Sequence, residues 1–142
     1  MSEKENLETV REAYRAIGEG NMDSFLALLA KDVEWLMPEV TGIPFTGNCR
    51  GQTQVGEFFS ALGEAEETLH FTQDEYIVTG SQVGVTGRYR ARIRATDKTV
   101  ETPYAHFFTV VDGKIHSFRE YYDTAAVAGA YRSDSPTEDE AS

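Results

Sequence analysis

From Gln82 to Ala95 the chain alternates with a period of two. Val83, Val85, Tyr89, Ala91 and Ile93 take one side, and Thr86, Arg88, Arg90, Arg92 and Arg94 take the other. That period belongs to a β-strand with one apolar and one solvated face. The turn formers Thr79-Gly80-Ser81 precede it and Thr96-Asp97-Lys98-Thr99 follow it, so strands are expected on both sides. One reads from about Thr68 to Val78. Another reads from Val100 to Val111, turns at Asp112-Gly113-Lys114, and leads into a last strand from Ile115 to about Asp123. Strands joined by turns this short form an antiparallel meander, and its apolar face needs a cover.

The cover lies upstream. Leu7, Val10, Ala13, Tyr14 and Ile17 recur at three- and four-residue spacing, which predicts an amphipathic helix from about Glu5 to Glu19, ended by Gly18 and Gly20. A short second helix carries Phe25, Leu26, Leu28 and Leu29, with Asn21 or Asp23 as its cap. Val33 to Met37 reads as a strand stopped by Pro38. After the turn-rich segment Thr41 to Gly47, a third helix runs from about Gln52 to Leu62 with Val55, Phe58, Phe59 and Leu62 on one face. Ala125 to Tyr131 reads as a short closing helix. Three N-terminal helices set against a curved antiparallel sheet make an α+β fold. With 142 residues, one domain over 1–131 is expected, followed by an acidic tail, 132–142, that is expected to be disordered.

The register between strands places side chains. If Asp97-Lys98 is a two-residue turn, Ile93 faces Thr102, Ala91 faces Tyr104, Tyr89 faces His106, and Arg94 pairs with Glu101. A three-residue loop with a glycine bulge at Asp112-Gly113 puts Glu120 opposite His106 or one pair away. The inner face then carries Val83, Val85, Tyr89 and Ile93 together with Tyr104, His106, Phe108, Phe118, Glu120 and Tyr122. One histidine, one glutamate and several tyrosines on an apolar face have the makings of a reactive pocket.

This order of elements resembles the SnoaL-like branch of the superfamily that includes ketosteroid isomerase, limonene epoxide hydrolase and scytalone dehydratase. Four segments carry the resemblance. They are Glu19-Gly20-Asn21-Met22-Asp23, Trp35-x-x-Pro38, Pro44-Phe45-x-Gly47-x-x-x-Gly51, and Val111-Asp112-Gly113-Lys114-Ile115-x-x-x-Arg119-Glu120-Tyr121-Tyr122-Asp123. The resemblance spans about residues 5 to 131 and implies a cone-shaped sheet. It also implies an acid–base carboxylate on the last strand and a histidine on the strand before it, as in SnoaL-type aldol cyclases. Glu120 and His106 match those places, with Glu where the cyclases carry Asp. Tyr14 matches the oxyanion-hole tyrosine of ketosteroid isomerase. Met37 stands where that enzyme has its base, which argues against its mechanism. Arg88-Tyr89-Arg90 lacks the aspartate of the epoxide hydrolases' Arg-x-Asp. Related folds commonly pair through the outer sheet face, where Ala105, Phe107 and Thr109 join the arginine row, so a homodimer is expected.

The candidate catalytic residues are therefore His106, Glu120 and Tyr14. Trp35, Phe59, Tyr89, Tyr104, Phe108, Phe118 and Tyr122 are the candidate substrate-binding wall. The plainer alternatives are a histidine hydrogen-bonded inside a sheet, a solvated Glu120 at the mouth of the cone, and tyrosines that only pack. His70 and His116 show no ligand spacing with His106, so no metal site is expected. No phosphate-binding glycine motif implies a nucleotide, and no cofactor is expected. Cys49, the only cysteine, is read as lying in a loop without a base. The net charge of −11 repels phosphate backbones and anionic lipid heads, although Asp134, Glu138, Asp139 and Glu140 of the tail supply part of it. Nucleic acid and membrane are thus poor partners. No apolar run approaches a membrane span and the N-terminus is polar, so a cytoplasmic protein is expected.

These residues point to an acid–base enzyme of lyase or isomerase type acting on a small apolar, cyclic carbonyl compound. Two other readings stand beside it. One is a non-catalytic ligand-binding or dimerisation module. The other is a hydrolase or dehydratase, which needs a second carboxylate at the pocket floor, and none is evident in the sequence.

Overall fold

A computed structural model describes residues 2–133. The tail expected to be disordered lies, beyond Ser133, outside them. The elements run α1 (Glu3–Gly18), α2 (Met22–Ala27), β1 (Leu29–Leu36), β2 (Cys49–Arg50), α3 (Gly51–Ala65), β3 (Glu66–Thr79), β4 (Gln82–Ile93), β5 (Lys98–Val111), β6 (Lys114–Tyr122) and α4 (Thr124–Tyr131). The six strands form one sheet in the order β2-β1-β6-β5-β4-β3. With helices on its inner side, this is the expected α+β cone.

The sheet is mixed rather than wholly antiparallel. β3 to β6 form the expected meander, but β1 joins β6 in parallel and pairs antiparallel with β2. Leu29, assigned by its spacing to the second helix, opens β1 instead, because α2 ends at Ala27. Cys49 sits in β2 rather than in a loop.

α1 is started by a capping box, in which Ser2 and Glu5 satisfy each other's backbone N–H groups. Glu3 accepts from the Gly80 N–H, and Asn6 donates to the Gly80 carbonyl at 3.0 Å. The N-terminus of α1 is thereby pinned to the β3–β4 turn. The helix lies across the inner face and buries Val10, Ala13, Tyr14 and Ala16. Gln52, in α3, donates to the carbonyls of Leu26 and Leu29 and holds α2 and β1 in place. The main core gathers Val10, Phe25, Leu29, Val33, Val55, Val83, Val85, Val110 and Ile115. A second cluster, Val40, Ile43, Ile93, Val100, Val127 and Ala130, sits beneath α4.

The β4–β5 register differs from the expected one by four residues. Tyr89 faces Thr102, and His106 faces Val85. The turn is centred two residues earlier and spans residues 94 to 97, with Asp97 in the left-handed region (φ 63°) and its N–H bonded to the Ile93 carbonyl at 2.7 Å. An even slip keeps every side chain on its expected face. The Arg94–Glu101 pair does not form. Glu101 stands opposite Arg90 and accepts from Arg88 at 3.1 Å. Arg92 bridges Glu67 and Asp97, so part of the arginine row is spent on exposed ion pairs of small energetic worth.

In the last hairpin the loop has two residues, Asp112 and Gly113, both with positive φ. The bulge lies further along, where His116 is the extra residue between the Thr109–Ser117 and Val110–Ile115 pairs. Glu120 then falls directly opposite His106. β3 carries two further bulges, between Thr68 and His70 and between Gln73 and Glu75. Bulges add twist and bend, and here they curl the sheet around the helices. Gly87 serves the same end. A Cβ there would stand 1.9 Å from the Thr72 carbonyl oxygen and 2.6 Å from the Tyr104 hydroxyl, because the Tyr104 ring lies across this position.

Candidate functional site

Between the helices and the inner sheet face lies a cavity of about 250 Å³. Each expected site residue lines it: Tyr14 from α1, Trp35 from β1, Phe59 from α3, Tyr89 from β4, Tyr104, His106 and Phe108 from β5, and Phe118, Glu120 and Tyr122 from β6. The walls are mostly aromatic. Trp35 stacks on Phe118 with ring centres 3.8 Å apart, and Phe25 and Phe59 meet Trp35 edge-on. The Trp35 indole N–H is buried with no partner among the described residues.

Three polar groups form a chain on one wall. The Tyr14 hydroxyl lies 2.6 Å from His106 Nδ1, and His106 Nε2 lies 3.1 Å from Glu120 Oε2. His106 is buried and stacks on Tyr104, whereas the Glu120 side chain keeps 23% exposure. Burial pushes the Tyr14 phenol far above its ordinary range, and the Tyr104, Tyr76 and Glu120 charges add to this. Tyr14 therefore holds its proton, and its hydroxyl is able to donate to Nδ1 or accept from it. The Glu120 carboxylate only accepts, so Nε2–H is the donor to it, and in the neutral tautomer that this leaves, Nδ1 accepts from the Tyr14 hydroxyl.

The tyrosine hydroxyls are not equivalent. Tyr14 is committed to His106. Tyr104 donates to the Thr72 carbonyl at 2.7 Å and accepts from Gln73, and burial raises its pKa to about 12. Tyr89 donates to Glu66 at 2.6 Å. Tyr122, half-buried, has a hydroxyl with no hydrogen bond among the described residues. Burial raises its pKa, and Glu120 and Glu66 raise it further.

Glu66 is the group that sequence reasoning missed. It is buried, 7% exposed, and lines the same cavity. Its two oxygens accept from Tyr89 and from Tyr131 of α4. Burial raises both phenols, with Glu66 reinforcing the effect. In the sequence Glu66 belongs to the run Glu64-Ala65-Glu66-Glu67, which reads as solvated. Its pairing with Ile93 turns it inward.

His70 and His116 are exposed on the surface, away from His106. Among the described residues no group of three or more His, Cys, Asp or Glu is placed to hold a metal, and no helix is long and apolar enough to cross a membrane.

Residues 10–118 match the family model of the SnoaL-like domain. Solved structures agree in fold. An NTF2-like protein from Burkholderia xenovorans LB400 is 32% identical, with a TM-score of 0.84 over 93% of this chain and 99% of that one. An NTF2-like protein from Burkholderia thailandensis E264 is 30% identical, with a TM-score of 0.82 over 89% and 97%. TerC, co-crystallised with polyporic acid, is 24% identical with a TM-score of 0.80 over 89% and 98%, a likeness of fold. A search of curated proteins returns no match. The family match over most of the sequence and the shared cone fold together make this chain a member of the SnoaL-like domain family.

Proposed function

We propose that this chain is an acid–base enzyme of lyase or isomerase type, working with its own side chains on an apolar, cyclic carbonyl compound. The observation that carries this reading is the Tyr14–His106–Glu120 chain of hydrogen bonds in the wall of an aromatic cavity. Glu120 takes a proton from the carbon beside the carbonyl. The electron pair moves to the oxygen, and the Tyr122 hydroxyl, which has no hydrogen bond among the described residues, donates to that oxygen as charge develops. Return of the proton to another carbon shifts a double bond. Attack of the enolate carbon on a second carbonyl closes a ring instead. His106 positions Glu120, and Tyr14 positions His106. The resemblance to SnoaL-type cyclases supports the same assignment.

A hydrolase or dehydratase is the second reading, because Glu66 supplies the second carboxylate that it needs. Glu66 is tied to Tyr89 and Tyr131 and has no histidine beside it, whereas Glu120 ends the Tyr14–His106 chain, which ranks this reading below the first.

We further propose that the outer sheet face pairs with a second copy of the chain. Phe107 is 39% and Tyr121 51% exposed there, with their ring centres 6.1 Å apart. An exposed aromatic pair on a sheet is apolar surface that a partner would cover.

The test of the enzyme begins with a ligand search on the purified protein by mass spectrometry. With the substrate in hand, Glu120→Gln and His106→Ala should each lower turnover by roughly 10²–10⁴-fold. The double variant should be little worse than the worse single, since groups acting as a unit are not additive. If Glu120→Gln lowers the melting temperature by many degrees and leaves turnover intact, Glu120 is structural and the enzyme reading fails.

A further inference from the structure

Among the described residues the cavity wall carries two carboxylates, Glu66 and Glu120, and no lysine or arginine. Arg88, Arg90 and Arg92 of β4 belong to the opposite sheet face. We infer that Glu66 is a second acidic pole of the binding site, and that the cavity takes neutral aromatic molecules bearing two hydroxyl groups and refuses carboxylates. This rests on the reading of the cavity as the site where the substrate binds.

Glu66 has capacity to spare. A carboxylate oxygen offers two acceptor positions, and each Glu66 oxygen uses one, for Tyr89 and for Tyr131. A carboxylate serving only to tie α4 to β3 has no need to face a cavity. Glu66 does face it. Glu120 is in the same position, since one of its oxygens accepts from His106. Both carboxylates act on the Tyr122 phenol, so the two poles serve one cavity.

The ligand class follows from the charges. A ligand hydroxyl entering at either pole meets an acceptor, and a hydrogen bond to a charged acceptor is among the stronger kinds. A ligand carboxylate meets two like charges, no cation, and walls of low polarity, where an unpaired charge is costly. Stacked aromatic walls such as Trp35 and Phe118 favour a flat ring system between the poles.

Three naphthalene probes test this without any turnover: 2,6-dihydroxynaphthalene, 2-naphthol and 2-naphthoate. Calorimetry gives the affinities, and the fluorescence of Trp35, the only tryptophan, reports whether the cavity is the place of binding. The dihydroxy probe should bind about tenfold tighter than 2-naphthol, the gain of one more hydrogen bond to a charged group. 2-Naphthoate should bind at least about tenfold weaker than 2-naphthol. In Glu66→Gln the dihydroxy advantage should shrink towards onefold and the carboxylate should gain. Naphthoate binding as tightly as naphthol overturns the proposal, as does a dihydroxy preference untouched by Glu66→Gln, or no binding by any probe at millimolar concentration. The wild-type ratios keep the test decisive if Glu66→Gln does not fold. Turnover is read separately, so selectivity can hold while the enzyme reading fails, and the reverse.

Discussion

The Tyr14 hydroxyl, carried on α1, reaches His106 Nδ1 on β5 across the inner face at 2.6 Å. This bond and the one from Nε2 to Glu120 together set which nitrogen of the imidazole carries the proton. Removing the hydroxyl in Tyr14→Phe leaves a buried acceptor unpaired, at a cost of about 1–3 kcal/mol, measurable by urea denaturation. It also releases the tautomer. Nitrogen-15 spectra of the imidazole should show a single Nε2–H form in the native chain and a mixture in the variant. An unchanged spectrum would mean that Glu120 alone fixes the ring.

Much of this site was legible in the sequence, and the reason is parity. Along β4, β5 and β6 side chains alternate, so a register wrong by an even number still puts His106 and Glu120 on the inner face. The β4–β5 register differs by four from the one the turn predicts, and both residues keep the inner face. Glu66 is missed because β3 opens there, ahead of the Thr68 start that the sequence suggests, within an acidic run that reads as solvated. β3 also breaks the alternation. Its inward residues are Glu66, Thr68, Phe71, Gln73, Tyr76 and Val78, changing from even to odd and back at the two bulges. No count of every second residue finds that set. The partner of Tyr14 was hidden for a different reason. A helix pattern tells which face is buried but not where along the sheet the helix lies, and that is set by contacts such as Asn6 to Gly80.

Gly87 holds the floor on which this site rests. A Cβ at this position would meet the Thr72 carbonyl oxygen at 1.9 Å, a backbone atom of the neighbouring strand that cannot swing away. Gly87→Ala should cost more than about 4 kcal/mol and leave little soluble, folded protein by circular dichroism. Trimming Tyr104 in the same chain should not rescue it, because the carbonyl remains. Gly84→Ala is the control. Its nearest contact is the Phe107 ring at 3.4 Å, and it should stay within about 1 kcal/mol of the native chain.

The outer face gives a prediction about assembly. Phe107 of β5 and Tyr121 of β6 are exposed in the middle of that face, Ile77 is exposed on the edge strand β3, and Arg119 lies over the Phe107 ring at 5.2 Å. Light scattering at tens of micromolar should give a dimer mass for the native chain. Phe107→Glu should give the monomer mass with the fold unchanged, since Phe107 is outside the core clusters. A native monomer would rule out the paired sheet.

Alkaline pH tests the buried phenols together. The chain has seven tyrosines, and six of them, Tyr14, Tyr76, Tyr89, Tyr104, Tyr122 and Tyr131, are held above the ordinary value of 10.0, each chiefly by burial. A phenol is neutral with its proton and charged without it, so the folded state binds these protons more tightly than the unfolded chain does. Their contribution to stability is complete below pH 10 and is lost as pH rises from 10 towards the folded values. The melting temperature should therefore be insensitive to these groups up to about pH 10 and fall steeply above it. Tyrosine ionisation, followed at a phenolate absorption band, should be far from complete in the folded protein at pH 11. The remainder should appear in one cooperative step with loss of the circular-dichroism signal, as unfolding exposes the phenols. If all seven tyrosines titrate smoothly near pH 10 while the fold persists, the cavity is open to water and its phenols are not buried donors.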